Sequence, residues 1–446
     1  MRVRIVDTWN RFVIQDRMPD LHPILEPWSE IVDRLPAFFD LSAMARQTGA
    51  LRRVREVKSA SDLLRLALAY VCGFSLEQTC MWAEAAGIVG RLTKQSLTER
   101  LRNAEAWLGQ LVQAILTARI ANARVPLDGG RRLRAVDATA LCCPGADRTT
   151  WRLHVSYDLL KMQVGQIELT DDRGAESLRR FTYEPGDIVL ADRGYARPRD
   201  LRPVVQAGAD FIVRTGWNSL RLLTGNGEVF ELFGLLRAMA GGYGQAAVWV
   251  DEGQEGNPFP VRLVMFRKSP EQAAKAKLDV QKAAKKRGKE PDPRSLEASE
   301  YILLLTSLDA AKYSAYMVAD LYRFRWQIEL SFKRWKSLGG LDALPAKGKL
   351  ARSWIFAKLI LCLLAEDLTG PVPDSPPSGL SIARTTRSVD PAPRITEAWR
   401  ADGTVAVADH QSRPRSHSRH RPRAAPRRND PEPTPPIRTQ PTGEAA

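Results

Sequence analysis

Residues 187–192, Asp187-Ile-Val-Leu-Ala-Asp192, decide the fold class of this chain. The four consecutive apolar residues are typical of a short strand that is buried on both faces of a sheet. Three strand-like segments precede this one, and turn residues separate them. They are residues 134–141, 151–157 and 164–169.

An alternation of helix and strand surrounds the same run. A short helix is predicted at 175–181, a second near 199–206, and strands at 210–214 and 301–306. Three meandering strands followed by alternating helices and strands predict an α/β domain with a mixed sheet.

Two regions flank or interrupt this alternation. Residues 59–120 carry helical periodicity and a capping box at Ser75-Leu-Glu-Gln78, which fits either a helix-turn-helix-like module or a plain helical bundle. Residues 216–300 hold short strand-like pieces and a basic segment, 268–289. That segment is either a solvated helix face or a contact for the DNA backbone.

Composition narrows the class of partner. The 446 residues carry a net charge of +15 and have a pI of about 9.8, which favours an anionic partner. Five cysteines without a CxxC spacing suit a reducing compartment and argue against a disulfide framework or a zinc site. The N-terminus lacks the apolar run of a signal peptide, and the apolar segment 355–365 is too short to span a bilayer. We therefore expect a soluble, intracellular protein with no membrane partner.

The composition changes after Gly370. Residues 371–446 hold 14 of the 29 prolines and 12 arginines but no lysine, so this tail is predicted to be disordered. The switch from lysine to arginine is typical of a reading frame different from the upstream one, as after a frameshift. A basic tail that contacts DNA is the alternative.

Three carboxylates stand out as candidate metal ligands. Asp137 ends the apolar part of a strand, Asp192 ends the buried run, and Glu329 lies in the helical stretch 322–336. On a single continuous helix, Tyr322, Arg325, Glu329 and Lys336 would fall within roughly a 60° arc. Carboxylates at the ends of neighbouring strands can converge, and oxygen ligands of this kind suit Mg²⁺. A pair of such ions supports phosphodiester chemistry.

Each residue taken alone has a simpler interpretation. A single aspartate at a strand end is usually a turn or cap residue. Arg325 and Glu329 could form an i,i+4 ion pair that stabilises a helix by only about 0.2–0.5 kcal/mol. The functional hypothesis therefore depends on the combination of the three carboxylates.

These residues resemble the signature of a known family. The spacing of Tyr322, Arg325, Glu329 and Lys336 is similar to that of DDE transposases of the insertion-sequence-four type. The segments Ala135-Val-Asp137-Ala-Thr and Leu190-Ala-Asp192-Arg-Gly-Tyr195 resemble those of the family's first and second catalytic aspartates. The resemblance covers roughly residues 55–370.

The resemblance implies a ribonuclease H-like catalytic core with a β-rich insertion, preceded by a helical N-terminal region. The expected boundaries are 1–125 for the helical DNA-binding region, 126–215 and 301–370 for the two parts of the core, 216–300 for the insertion and 371–446 for the tail. It also implies that Asp137, Asp192 and Glu329 hold two Mg²⁺ or Mn²⁺ ions.

The same resemblance implies a DNA partner and a reaction. Water would cut the phosphodiester at a transposon end, and the freed 3′-hydroxyl would attack target DNA. Contacts with DNA would come from Tyr322, Arg325, Lys336, Arg193 and Tyr195. A homodimer on double-stranded DNA is expected, in the bacterial cytoplasm and associated with the nucleoid. The alternative is an inactive relative with an altered C-terminus that binds transposon ends without cutting them.

Several other residues receive secondary hypotheses. Trp217 and Trp249 are candidates for stacking on a displaced base, although each also fits a core position. His154 is predicted to be a core residue or one that supports the site, and Cys142-Cys143 make a poor chelate because adjacent strand side chains diverge. The rival carboxylates are Asp158, Asp172 and Glu176, of which the last two fit a turn and a helix start.

Overall fold

Nine strands form one continuous sheet in the computed structural model. The structure describes residues 28–122, 131–146, 148–239, 242–253, 256–337, 339–344 and 349–369, so the predicted disordered tail lies outside the described residues. The strands are β1 (Arg132–Leu141), β2 (Trp151–Asp158), β3 (Gln163–Asp171), β4 (Asp187–Ala191), β5 (Asp210–Arg214), β6 (Leu222–Leu223), β7 (Tyr243–Val250), β8 (Phe259–Arg267) and β9 (Tyr301–Thr306).

The sheet is mixed, as the sequence predicts. Its strand order is β3-β2-β1-β4-β5-β9-β8-β7-β6. The pairs β1–β2 and β2–β3 are antiparallel, whereas β4 pairs in parallel with both β1 and β5. From β5 onward the pairing through β9, β8, β7 and β6 is antiparallel. The segment between β5 and β9 therefore extends the same sheet.

Thirteen α-helices are found in the described part of the chain. They are α1 (Trp28–Asp33), α2 (Leu41–Gln47), α3 (Ala60–Val71), α4 (Leu76–Ala85), α5 (Lys94–Asn103), α6 (Glu105–Asn122), α7 (Pro198–Gln206), α8 (Leu232–Ala238), α9 (Pro270–Lys286), α10 (Pro293–Ala298), α11 (Ala315–Arg323), α12 (Trp326–Ser337) and α13 (Lys349–Thr369). The predicted capping box is present at the start of α4, where Ser75 and Gln78 satisfy each other's backbone N–H groups. None of these helices is long and apolar enough to cross a membrane.

Two hydrophobic clusters cover the two faces of the central strands. Ala135 and Leu190 belong to the cluster that includes α11, α12 and α13, and Val136 and Ala191 belong to the other. This alternation follows from the period of two along a strand. All five residues of β4 are buried, which confirms the prediction of a strand buried on both faces.

Helix α13 connects the N-terminal helices to the core. It packs along α6 and also contacts α3 and α5. By contrast, α9 has no buried residue, and it contains most of the predicted basic segment. Both interpretations of that segment remain open, because an exposed basic face fits either one.

Two predicted helices differ in the structure. The stretch 322–336 is not one continuous helix, because α11 ends at Arg323 and α12 begins at Trp326. The backbone between them forms i→i+3 hydrogen bonds, including Arg325 N–H to Tyr322 O at 3.0 Å. The predicted helix at 175–181 is a single 3₁₀ turn, Leu178–Arg180, which begins after a hydrogen bond from Arg179 N–H to the Ser177 hydroxyl.

A buried carboxylate fixes the start of β4 against β1. Asp187 is 0% exposed and accepts hydrogen bonds from Arg132 Nε at 2.7 Å and Arg134 Nη1 at 2.8 Å. The Glu184 backbone N–H donates to it at 3.0 Å. Because Arg132 and Asp187 are also register partners, this cluster helps to align the two parallel strands.

Replacing Asp187 with Ala is expected to lower the free energy of unfolding by about 3–5 kcal/mol, because Arg134 would remain buried without its partner. The midpoint of urea unfolding measures this loss. Glu77→Ala breaks an exposed ion pair with Lys94 and should cost no more than about 1 kcal/mol. Equal losses in the two variants would contradict the role given to Asp187.

Candidate active site

Asp137 and Asp192 occupy neighbouring positions on two parallel strands. The register pairs Val136 with Ala191, so the next residue on each strand is one of the two aspartates. Adjacent strands lie about 4.8 Å apart. By alternation, both side chains share the face of Ala135 and Leu190, where α11 and α12 pack. The structure thus brings two of the three predicted carboxylates together.

Glu329 approaches from the first turn of α12, which packs on β1. Lys336 lies two turns later on the same helix face, and its Nζ donates to the carbonyl of Ala140 at 2.8 Å. This bond joins α12 to β1 three residues beyond Asp137. In this structure Lys336 therefore contacts main chain.

Arg325 joins two of the carboxylates. Its Nη1 lies 3.4 Å from Asp137 Oδ2, and its Nη2 lies 2.5 Å from Glu329 Oε1. Its guanidinium carbon is 5.8 Å from the centre of the Tyr322 ring. Because Arg325 stands in the turn between α11 and α12, its side chain reaches across to β1 as well as down α12.

Asp137 is electrostatically coupled to the other two carboxylates. The pKa of Asp137 is raised to about 6, mainly by burial and also by the negative charges of Glu329 and Asp192. A hydrogen bond from the Ala138 N–H, at 2.8 Å, and the charge of Arg325 act in the opposite direction on this pKa. The charged form of Asp137 is therefore held at a cost that a bound cation would relieve.

The side chains at this site are of the type that binds metal ions, but their arrangement in this structure is not that of a metal site. Three carboxylates are ligands of the type that hard divalent cations prefer. In the arrangement described here, however, no group of three or more His, Cys, Asp or Glu side chains among the described residues is placed to hold a metal ion. The guanidinium of Arg325 lies between Asp137 and Glu329 instead.

Two tyrosines lie close to the carboxylates but beneath the surface. Tyr322 is 6% exposed and Tyr195 is 0% exposed. Burial raises the pKa of both phenols, which are therefore neutral at ordinary pH. Tyr195 is thus shielded from solvent in this structure. The negative charges of Asp137 and Glu176 also raise its pKa.

Three cations lie at the same sheet edge. Arg193 was predicted to contact DNA and Lys268 belongs to the predicted basic segment 268–289, whereas Arg214 was not predicted. Arg193 follows Asp192, Arg214 ends β5, and Lys268 follows β8. The pKa of Lys268 is lowered to about 8, mainly by burial and also by the charges of Arg214 and Arg193, so the three cations are close enough to repel one another. The signal was available, because β4 and β5 are parallel and their last residues reach one edge.

The rival carboxylates lie in different places. Asp158 is the register partner of Arg134, towards the opposite end of β1, and it accepts hydrogen bonds from the Leu160 and Lys161 backbone. Asp172 is exposed in the turn after β3. Glu176 lies beside the turn after Asp192, where a Cβ on Gly194 would come within 2.4 Å of its Oε2.

The remaining candidates are mostly structural. His154 is fully buried in β2 and lies 2.9 Å from the Thr170 hydroxyl, as expected for a core residue. The Trp217 indole N–H donates to Ser295 at 3.1 Å, and Trp249 packs beside Gly225. Cys142 is exposed and its neighbour Cys143 is buried, so the two thiols diverge as predicted.

Replacing Asp137 with Asn should raise the free energy of unfolding by up to about 3 kcal/mol at pH 7.5 in metal-free buffer. The folded pKa of about 6 lies above the ordinary 3.8, so the cost of ionising Asp137 is full above pH 6 and absent below pH 3.8. The gain should fall to about half at pH 5, as measured by chemical unfolding. Asp172→Asn, at an exposed site, should change stability at neither pH, and a pH-independent effect of Asp137→Asn would refute this account.

Comparison with known proteins shows which family this chain resembles. Residues 128–364 match the family described as the transposase DDE domain. InsL of insertion sequence element IS186A from Escherichia coli (strain K12) is 43% identical over 359 residues, which is 78% of this chain and 96% of that protein. The transposase for insertion sequence element IS421 from Escherichia coli is 42% identical over 360 residues, with the same coverage.

A more distant relative extends the comparison. The transposase for insertion sequence element IS231F from Bacillus thuringiensis subsp. israelensis is 25% identical over 387 residues, covering 76% of this chain and 79% of that protein. These similarities do not favour the alternative of a relative that binds DNA without cutting it. The matched domain and the identities over most of the chain show that it belongs to the DDE transposases, enzymes that cut DNA and transfer its strands.

Proposed function

We propose that Asp137, Asp192 and Glu329 are the catalytic carboxylates of this transposase. One observation carries the proposal. The parallel register of β1 and β4 sets the two aspartates side by side, and α12 presents Glu329 on the same face. The charges of Asp192 and Glu329 both act on Asp137.

The core that carries these residues is proposed to be ribonuclease H-like. The order β3-β2-β1-β4-β5, with three antiparallel strands followed by two parallel ones, supports this assignment. The spacing of Tyr322, Arg325, Glu329 and Lys336 supports a transposase of the insertion-sequence-four type. We retain the division into a helical DNA-binding region to residue 125, core segments 126–215 and 301–370, and an insertion at 216–300.

The donor set fits divalent metal ions, which DDE transposase domains generally use. We propose two Mg²⁺ or Mn²⁺ ions held by Asp137, Asp192 and Glu329, since all their ligand atoms are carboxylate oxygens. When bound, such ions activate the attacking oxygen and stabilise the leaving one. The raised pKa of Asp137 supports the fit, because burial disfavours the charged form of this carboxylate and a bound cation would offset that cost.

The cations around the carboxylates are proposed to hold the DNA backbone. Arg193 is exposed, and Arg325 offers a planar fork that suits phosphate oxygens. Lys336 would exchange the Ala140 carbonyl for a phosphate. Tyr322 borders the same space, and Tyr195 would contribute from below by supporting the turn after Asp192, since it is buried.

In the proposed reaction, water cuts the phosphodiester at an element end and leaves a 3′-hydroxyl. That hydroxyl then attacks a phosphodiester of target DNA. We further propose that the protein acts as a homodimer on double-stranded DNA in the bacterial cytoplasm, in association with the nucleoid. The net charge of +15 supports a polyanionic partner.

Asp192→Asn is expected to abolish Mg²⁺-dependent nicking at the element's own terminal repeats while it preserves binding to the same DNA. The reason is that an amide cannot supply the negative charge required of a metal ligand. End-labelled fragments measure nicking, and gel shift measures binding. Asp172→Asn, a matched change at an exposed turn, should cut normally, whereas normal cutting by Asp192→Asn would reject the assignment.

Arg214→Gln should weaken binding to duplex DNA and reduce the slope of log K against log salt by about one unit, as expected for the loss of one phosphate contact. The matched control is Arg221→Gln, which breaks an exposed pair with Asp251. Fluorescence anisotropy at several salt concentrations measures both. An unchanged slope for Arg214→Gln would exclude Arg214 from the DNA interface.

A further inference from the structure

Arg325 contacts carboxylate oxygens that are proposed to bind metal ions. Its two terminal nitrogens contact oxygens of Asp137 and Glu329, at 3.4 and 2.5 Å. Only 15% of its side chain is exposed, so the guanidinium is enclosed by the site. Among the described residues, no group of three or more His, Cys, Asp or Glu side chains is placed to bind an ion.

A guanidinium and a divalent ion cannot use the same oxygens in the same way. Arginine keeps its charge at all ordinary pH values and directs its N–H groups along the carboxylate lone pairs. A metal ion requires those lone pairs for itself. Occupation by one therefore disfavours the other, through both contact and charge.

The backbone around Arg325 suits a side chain that changes partners. The residue lies in the turn between α11 and α12, where hydrogen bonds are of the i→i+3 type. Its partner Glu329 is 54% exposed, so that end of the pair is open to competing ligands. A phosphate group offers the same fork geometry that a carboxylate does.

We propose that Arg325 is a counter-cation of Asp137 and Glu329, which must transfer from these carboxylates to a DNA phosphate before divalent ions bind. The inference rests on the proposed function of these carboxylates. It follows that DNA and metal ions bind with positive cooperativity. By thermodynamic reciprocity, the factor by which DNA tightens metal binding equals the factor by which metal tightens DNA binding.

The consequence is an enzyme that assembles its metal site on its substrate. Without DNA, the Arg325 contacts occupy oxygens of Asp137 and Glu329 and keep the site closed to metal. With DNA, the released carboxylates gain the divalent ions. Cutting is thereby restricted to complexes in which a phosphate already lies at the site.

The test measures Mn²⁺ affinity of the full-length protein by electron paramagnetic resonance of free Mn²⁺. It is made without DNA and with a duplex already cut at the element end, so that no hydrolysis intervenes. Wild type should bind Mn²⁺ about tenfold more tightly with DNA, a coupling of ordinary size. Arg325→Gln should bind Mn²⁺ about tenfold more tightly than wild type without DNA, and DNA should add little.

The control is Arg323→Gln, which removes the same charge two residues earlier. Arg323 pairs with Asp320 at 3.7 Å. This variant corrects for the general effect of one fewer positive charge and should show the wild-type coupling. If Arg325→Gln and Arg323→Gln bind Mn²⁺ with equal affinity and equal coupling, the inference is overturned.

Two further variants separate the possible failures. Arg325→Lys keeps the charge but loses the fork, so it should show part of the effect and serves if Arg325→Gln does not fold, as judged by circular dichroism. Asp137→Asn and Asp192→Asn should lose Mn²⁺ binding. If they do not, the proposed metal site is wrong; if they do while Arg325→Gln and Arg325→Lys behave as Arg323→Gln, only the displacement by DNA is wrong.

Discussion

The parallel register of β1 against β4 is the constraint on which the site depends. It pairs Arg132 with Asp187 at one end and Val136 with Ala191 at the other, and the two candidate aspartates come next. A slip of one residue on either strand would turn one aspartate into the opposite hydrophobic face. The buried charges around Asp187 oppose such a slip, since they would have to separate without water.

Electrostatic balance is the second constraint on the site. Bound ligands could replace the side chains that now balance its charges. Partial burial strengthens every charge interaction at this edge of the sheet. Three carboxylates face Arg325, while Arg193, Arg214 and Lys268 stand together and repel one another. A polyanion would relieve the cations, and a divalent cation would relieve the carboxylates. The site therefore gains from binding both at once, more than from binding either alone.

The fold could be predicted from the sequence wherever one strong local pattern decided the structure. The apolar run of β4, the alternation in β2 and the capping box at Ser75 are such patterns, and the mixed sheet follows from their order. Asp192 directly follows β4, as the sequence indicated, whereas Asp137 lies in the middle of β1, which continues to Leu141. Their juxtaposition depends on long-range pairing, which composition and period alone do not specify.

Other features could not be predicted. Neither glycine nor proline marks the break at Phe324–Arg325, so the sequence indicated one helix where the structure has two. The contact of Arg325 with Asp137 spans 188 residues of sequence. The i,i+4 ion pair of Arg325 with Glu329 is therefore present, but the contact of Arg325 with Asp137 was not predicted. Arg214 was overlooked because a single basic residue at the end of a strand becomes a candidate only when that strand pairs in parallel with β4.

The helix that carries Glu329 is held from its far end by residues of α13. Trp335 is fully buried in α12, and its indole N–H donates to Glu366 at 2.9 Å. Arg119 of α6 contacts the same carboxylate at 3.2 Å. Because these groups are buried, separating them would cost more than an exposed pair would. Helix α13 thus holds the far end of α12, and the N-terminal helix α6 shares in that contact through Arg119.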